Sequence, residues 1–305
     1  MHYRLGGTRS SERCLGGSVH FSLLARMRPS LKSIVLTVVI GTPALLAAAH
    51  EFWLAPPHYF VAAGQKINLQ TWVGENFTGQ RWAGKSSRIT RFVHAGPAGT
   101  EDLTTSATQA DTLQTALTFA QPGTHVVALA TNDAYLEQTA EQFNTYLKEE
   151  GLDNVLVLRQ QRNELTKPAR EAYRRCAKTL IQVGKVNSRD TARAYARPVG
   201  LPLELIPEQN PYLLRPGAVL TVRVVQDGQP VTGALVQVWQ RQPGQKPKAS
   251  RLYSNLSGRI LLRLSTPGSY LLSTVRMAAI PDHTRADWHS TWASLTFGTA
   301  GPTGY

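Results

Sequence analysis

Apolar and polar residues alternate along much of the chain with a period of two. Leu220, Val222 and Val224 are separated by Thr221 and Arg223. Ile260, Leu262 and Leu264 are separated by residues that include Arg263. In the first half, Ile67, Leu69, Thr71 and Val73 alternate, as do Leu113, Thr115, Leu117 and Phe119. Period two puts one side of each segment in a core and the other in water, which predicts half-buried strands. Asp227-Gly228 follows one such run and predicts a tight turn. Short strands with regular turn signals predict a mainly β protein built from antiparallel β-sandwiches.

The two β halves repeat each other. Tyr59–Gly64 followed by Ile67, Leu69 and Thr71 matches Tyr212–Gly217 followed by Leu220, Val222 and Val224. Leu117–Val127 matches Leu262–Leu272, each reading as strand, Pro-Gly turn and strand. The offsets are 153 and 145 residues. A structural duplication and a chance likeness of two hairpins are both open.

Between them the period changes. Thr139 and Gln142 form a capping-box signature, with Phe143, Tyr146 and Leu147 at helical spacing and Gly151 as a stop. Val155, Leu156 and Leu158 predict a second short helix. Pro168 suits a first helical position, and Tyr173, Ala177 and Leu180 predict a third helix closing at Gly184. Pro198, Gly200 and Pro202 exclude a regular element in a linker. The expected organisation is two Ig-like or transthyretin-like sandwiches, 50–132 and 203–305, with a helical insert over 133–188 and a linker over 189–202.

The longest apolar run, Ser33–Ala49, follows Arg28 and Lys32 and ends in Ala47-Ala48-Ala49. That is the pattern of a secretory signal, residues 1–49, with cleavage expected between Ala49 and His50. Met27 offers an alternative start, and an uncleaved anchor is the competing reading. Cleavage makes the expected location periplasmic.

Composition then narrows the partners. The 305 residues carry a formal net charge of +13. Residues 50–305 hold 27 basic and 19 acidic residues, a net of +8. That serves solubility or attracts an acidic surface or ligand. No block of five basic residues occurs, which argues against nucleic acid. Cys14 falls in the signal, so Cys176 stands alone, and its place beside an apolar face reads as a buried structural thiol.

No G-x-S-x-G, H-E-x-x-H, P-loop or dinucleotide fingerprint is present, so a non-enzymatic role is expected and no organic cofactor. Histidine carries the remaining chemistry. His50, as a new N-terminus, could chelate a metal through its amine and ring, a nitrogen-rich donor set suited to Cu(II) and Ni(II). Glu51 is adjacent and His58 lies eight residues on. Asp282, His283, Asp287 and His289 form a second cluster, readable as a metal-binding loop or a solvated one. His125 sits where the repeat places Tyr270, which suggests a packing role, and His94 reads as an exposed strand-end residue. Trp53 and Trp72 are readable as core or as a sugar-stacking pair.

Ala49–Leu54, Phe143–Leu152, Tyr173-x-x-Cys176-Ala177-Lys178, Leu201–Pro207 and Ala286–Phe297 together resemble the periplasmic family called domain of unknown function 4198. Its members are often labelled nickel-uptake or cobalt-transport accessory proteins. The resemblance implies export and a transition-metal role; with the donor set at His50, the expected ion is Ni, Co or Cu, and the expected partner an inner-membrane metal transporter. Asp227–Val236 also resembles transthyretin-like and carboxypeptidase-regulatory-like modules. The expected function is capture of a Ni or Co ion as accessory to metal uptake, with candidate ligands His50, Glu51, His58, His283, Asp287 and His289. The alternative is a non-catalytic sandwich module that binds a cell-envelope protein or glycan. A copper oxidase with an N-terminal histidine brace is a third class, and it would need a second His opposite His50.

Overall fold

The alternating segments become strands, and the strands sort into three sheets. The computed structural model describes residues 51–109, 113–187, 190–281 and 285–300. The first half supplies β1 (Glu51–Ala55), β2 (Phe60–Val61), β3 (Lys66–Glu75), β4 (Thr78–Arg81), β5 (Ile89–Gly96), β6 (Gly99–Asp102), β7 (Thr108–Gln109), β8 (Leu113–Thr118) and β9 (Gly123–Thr131). Next come β10 (Ala134–Gln138), α1 (Ala140–Glu149), α2 (Asp153–Gln161) and β11 (Ala169–Val183). The second half supplies β12 (Leu203–Pro207), β13 (Val219–Gln226), β14 (Gln229–Pro230), β15 (Leu235–Arg241), β16 (Lys248–Tyr253), β17 (Arg259–Arg263), β18 (Gly268–Ala279) and β19 (Trp288–Thr299).

The largest sheet runs β16-β15-β18-β19-β11-β9-β5-β6, with β2 and β10 also paired to β11. A smaller sheet runs β1-β3-β8-β7 with β4 beside β3, and another runs β12-β13-β14 with β17 beside β13. The duplication is visible in this topology. The ladder β1-β3-β8 corresponds to β12-β13-β17, and β9-β5-β6 corresponds to β18-β15-β16. The two sets meet where β11 and β19 pair in parallel. The Pro-Gly segments of the repeat are not hairpin turns. Each carries the chain from a smaller sheet into the large one, from β8 to β9 and from β17 to β18.

The two smaller sheets cover opposite faces of the large one. Val127, Leu129, Ala177 and Ile181 pack with Phe52, Leu54, Ile67 and Leu69 from the first half. Their neighbours Val126, Ala128, Cys176 and Leu180 pack with Leu205, Leu220, Val222 and Val224 from the second. Alternation along β9 and β11 therefore sends successive side chains into two different cores. Both cores are apolar, and their burial drives the assembly.

The segment predicted as a third helix is β11. It carries several good helix formers, Ala, Arg and Glu among them, and Pro168 stands before it. It lies between β19 and β9, and most of its residues are buried. A strand buried on both faces has no period-two signature, so its pattern can mimic a helix. Pairing on both edges overrides the local propensity. The expected helices at α1 and α2 do form. Thr139 Oγ1 accepts from the Gln142 N–H and the Gln142 side chain accepts from the Thr139 N–H, which completes the capping box. Phe143, Tyr146, Leu147 and Val155 then pack on Val275, Met277, Trp288 and Trp292. At the β13–β14 connection, Asp227 and Gly228 have φ of 47° and 81°, as a tight two-residue turn requires. No helix among the described residues is long and apolar enough to cross a membrane.

Candidate functional site

Of the sequence-predicted residues, Glu51, His58, Asp287 and His289 are described, and these four are not gathered as a metal cage. His50, Asp282 and His283 lie outside the described residues. Glu51 opens β1 and is buried. Burial first, then the nearby Glu150 carboxylate, pushes its carboxyl up to about 8, so it holds its proton at neutral pH. His58 is exposed in the β1–β2 connection. Asp287 is paired with Arg170, Oδ1 to Nη2 2.6 Å, and also accepts from the Arg170 backbone N–H at 3.1 Å. His289 lies 3.1 Å from the Asp133 carboxylate. Among the described residues, no three His, Cys, Asp or Glu side chains are gathered as a metal cage.

The structure instead brings together His94 and His125. The β5–β9 register pairs His94 with Val127, so His125, two residues before Val127, is its diagonal neighbour on the same face. The rings lie nearly parallel, 5.0 Å between centroids, with Nε2 of His94 2.7 Å from Nδ1 of His125. Phe119 packs against both rings, at 5.1 and 4.9 Å. His94 is therefore mostly buried, not the exposed strand-end residue that the sequence suggests. Gly96 makes the arrangement possible. A Cβ there would stand 2.6 Å from His125 Nδ1, closer than non-bonded atoms tolerate.

Each outer nitrogen faces a polar group of its own. His125 Nε2 lies 2.8 Å from the Gln121 carbonyl, which can only accept, so Nε2 carries the proton and Nδ1 offers a lone pair. His94 Nε2–H donates to that lone pair. The remaining nitrogen, His94 Nδ1, then turns a lone pair toward the Glu101 carboxylate 3.6 Å away. Two acceptors facing each other is an unfavourable end to the chain. Burial pushes His125 down to about 4, opposed by the Gln121 hydrogen bond. Burial also lowers His94, against the pull of Glu101. Both rings are thus held neutral at neutral pH. The pair opens onto a cleft of about 260 Å³ lined also by Thr100, Glu101 and Thr118.

The sequence signal for this pair was faint. His125 was readable only as the counterpart of Tyr270, and nothing short of the strand register places it beside a residue 31 positions away. Cys176, by contrast, is buried as expected, and burial pushes its thiol up to about 11, so it is an inert core group. Trp53 is core, stacked on the half-buried Trp72 at 6.4 Å between centroids.

Residues 47–278 match the family model described as Domain of unknown function (DUF4198). The chain belongs to the DUF4198 family. No curated protein matches the sequence. Among solved structures, the chain is similar to the D0-D1 domain of intimin, at 13% identity over 81% of this chain and 97% of that one, with a TM-score of 0.18. It is also similar to a marsupial T cell receptor, at 12% identity over 81% and 73%, TM-score 0.19. A third is trypsin-activated alpha-2-macroglobulin from Escherichia coli, at 10% identity over 81% and 15%, TM-score 0.20. At these TM-scores the likenesses carry no argument about function.

Proposed function

We propose that this DUF4198 protein is exported to the periplasm and captures a transition-metal ion, Ni(II) or Co(II), as accessory to metal uptake. The observation that supports this reading is the His94 Nε2 to His125 Nδ1 separation of 2.7 Å, with His125 Nε2 on the Gln121 carbonyl and His94 Nδ1 facing the Glu101 carboxylate at 3.6 Å. An outer partner on each imidazole, a backbone carbonyl for one and a carboxylate for the other, is the usual support of metal-bound histidine. Two nitrogens at adjacent corners of an ion with metal–nitrogen bonds of about 2.0–2.1 Å are separated by roughly 3 Å. The spacing is close to that value, and binding requires the two rings to turn so that both lone pairs meet at the ion in place of each other. On binding, the ion replaces the proton on His94 Nε2, and that proton moves to Nδ1, where it donates to Glu101. Solvent fills the remaining positions, which suits a carrier that must release its cargo. Ligating imidazoles must be neutral, and both of these are at neutral pH.

The test is native mass spectrometry and calorimetry of the exported protein with Ni(II), Co(II), Cu(II) and Zn(II). One bound ion, lost in His94→Gln and His125→Gln variants that keep the wild-type melting temperature, is the expected result. No adduct, or an adduct that survives both substitutions and disappears in His50→Ala, overturns the site. The denatured mass tests export, with His50 expected as the first residue.

A further inference from the structure

A second cleft, which shares no residue with the His94–His125 pair, has a different chemistry. It consists of two adjoining lobes, of about 590 Å³ and about 410 Å³, whose walls share Ala55, Pro56, Pro57 and Arg241. Neither lobe is lined by an Asp or Glu among the described residues. Their polar side chains are mainly amides and hydroxyls, with Asn68 and Gln70 in the smaller lobe beside Trp72. His58 lies in the larger lobe.

Arg241 is the charged centre of this cleft, and it is held in place. Its guanidinium lies 4.2 Å from the Phe77 ring centroid, and Nη1 donates to the Phe77 carbonyl at 3.1 Å. Phe77 and Asn76 have φ of 58° and 54°, a left-handed conformation unusual for a bulky residue. The strained turn persists because it is tied down elsewhere. Phe77 is buried, and Trp239 Nε1 lies 3.4 Å from Asn76 Oδ1. No carboxylate among the described residues forms an ion pair with Arg241. A fixed guanidinium facing a cleft without acids is a carboxylate-recognising group without an internal carboxylate.

Trp72 supplies the other half of the recognition. It is half-buried, backed by Trp53 and oriented by the contact of its Nε1 with Gln70 Oε1 at 3.3 Å. A supported indole, amides for hydroxyl groups and one cation match a sugar ring that carries a carboxylate. We propose that this cleft binds an acidic oligosaccharide, its ring against Trp72, its hydroxyls on Asn68 and Gln70, and its carboxylate on Arg241. The net charge of +8 over residues 50–305 favours the same sign of ligand at longer range.

The test uses the mature protein with three probes: trigalacturonate, neutral maltotriose and tetraglutamate. Trigalacturonate is expected to quench tryptophan fluorescence on binding, to weaken severalfold as salt is raised, and to bind at least tenfold more tightly than maltotriose. Trp72→Ala and Arg241→Gln are each expected to weaken it at least tenfold, and Arg241→Lys less. Because Arg241 also steadies the Phe77 turn, melting temperatures accompany each variant. The probe ranking on the wild-type protein decides the matter if Arg241→Gln unfolds. No quenching by trigalacturonate at millimolar concentration overturns the proposal. So does equal binding of maltotriose, or tighter binding of tetraglutamate, which would mark the cleft as a peptide site.

Discussion

Lys178 and Glu204 form a buried ion pair, Nζ to Oε2 2.5 Å, between the central strand β11 and the first strand of the second half, β12. Glu204 also accepts from the backbone N–H groups of Val199, Gly200 and Leu201. The segment expected as a linker is thereby laced to the sheet. Burial pushes Glu204 up, but the Lys178 ammonium and the backbone donors outweigh it and hold the carboxyl below its ordinary value. Removing one partner strands a charge in an apolar interior, which typically costs about 3–5 kcal/mol. Lys178→Met is therefore expected to lower the urea-unfolding free energy by that order, and Lys178→Met with Glu204→Gln to recover part of it. A Lys178→Met protein as stable as wild type would contradict this account.

Gly96→Ala places a methyl against the His125 ring. The expected outcome is loss of metal uptake with a small change in melting temperature, because the ring is displaced while the β5–β9 ladder is kept. Unchanged metal affinity in this variant would argue against the pair as the site.

Nitrogen-detected NMR of the metal-free protein is expected to find His125 as the Nε2–H tautomer and neutral well below pH 6. That follows from the Gln121 carbonyl and from burial, which lowers the ring to about 4. An Nδ1–H tautomer would break the proposed chain of donors.

Three interior carboxyls set the alkaline side of stability. Glu51, Glu150 and Glu171 are pushed up to about 8, 7 and 7, in each case chiefly by burial. Ser290 and Tyr146 pull Glu171 the other way through their hydroxyls. A raised acid binds its proton in the fold after the unfolded chain has lost it. Its contribution is complete below about 4.5 and is lost as pH rises through 7 to 8. His94 and His125, both lowered, act oppositely below about 6.5. The melting temperature is therefore expected to fall between pH 6.5 and 8.5, with a shallower slope in Glu171→Gln. A flat or rising profile in that window would refute the assignment.

Thr139→Ala removes one half of the capping box at α1. A loss of about 1 kcal/mol in urea unfolding is expected. Gln142→Ala should cost less, since Thr139 keeps its own bond to the Gln142 N–H.

The chain's own order determined the local elements whose signals are local. Period-two runs became β3, β13 and β17, the Thr139–Gln142 box became the start of α1, and the internal repeat became two matching sets of strands. Each rests on neighbours a few residues apart, where side-chain period and capping chemistry act directly. Family membership was legible for a similar reason, as short motifs of fixed spacing. Tertiary structure alone decided the rest. It made residues 169–183 a strand, because pairing on both edges outweighs helix propensity. It set Asp287 on Arg170 and His289 on Asp133, partners that their spacing does not reveal. It joined His94 to His125, and Arg241 to Phe77 across 164 residues, through strand register and sheet stacking. Contacts of that kind depend on which strands become neighbours, and that is fixed by burial of whole faces, a property no local window of sequence contains.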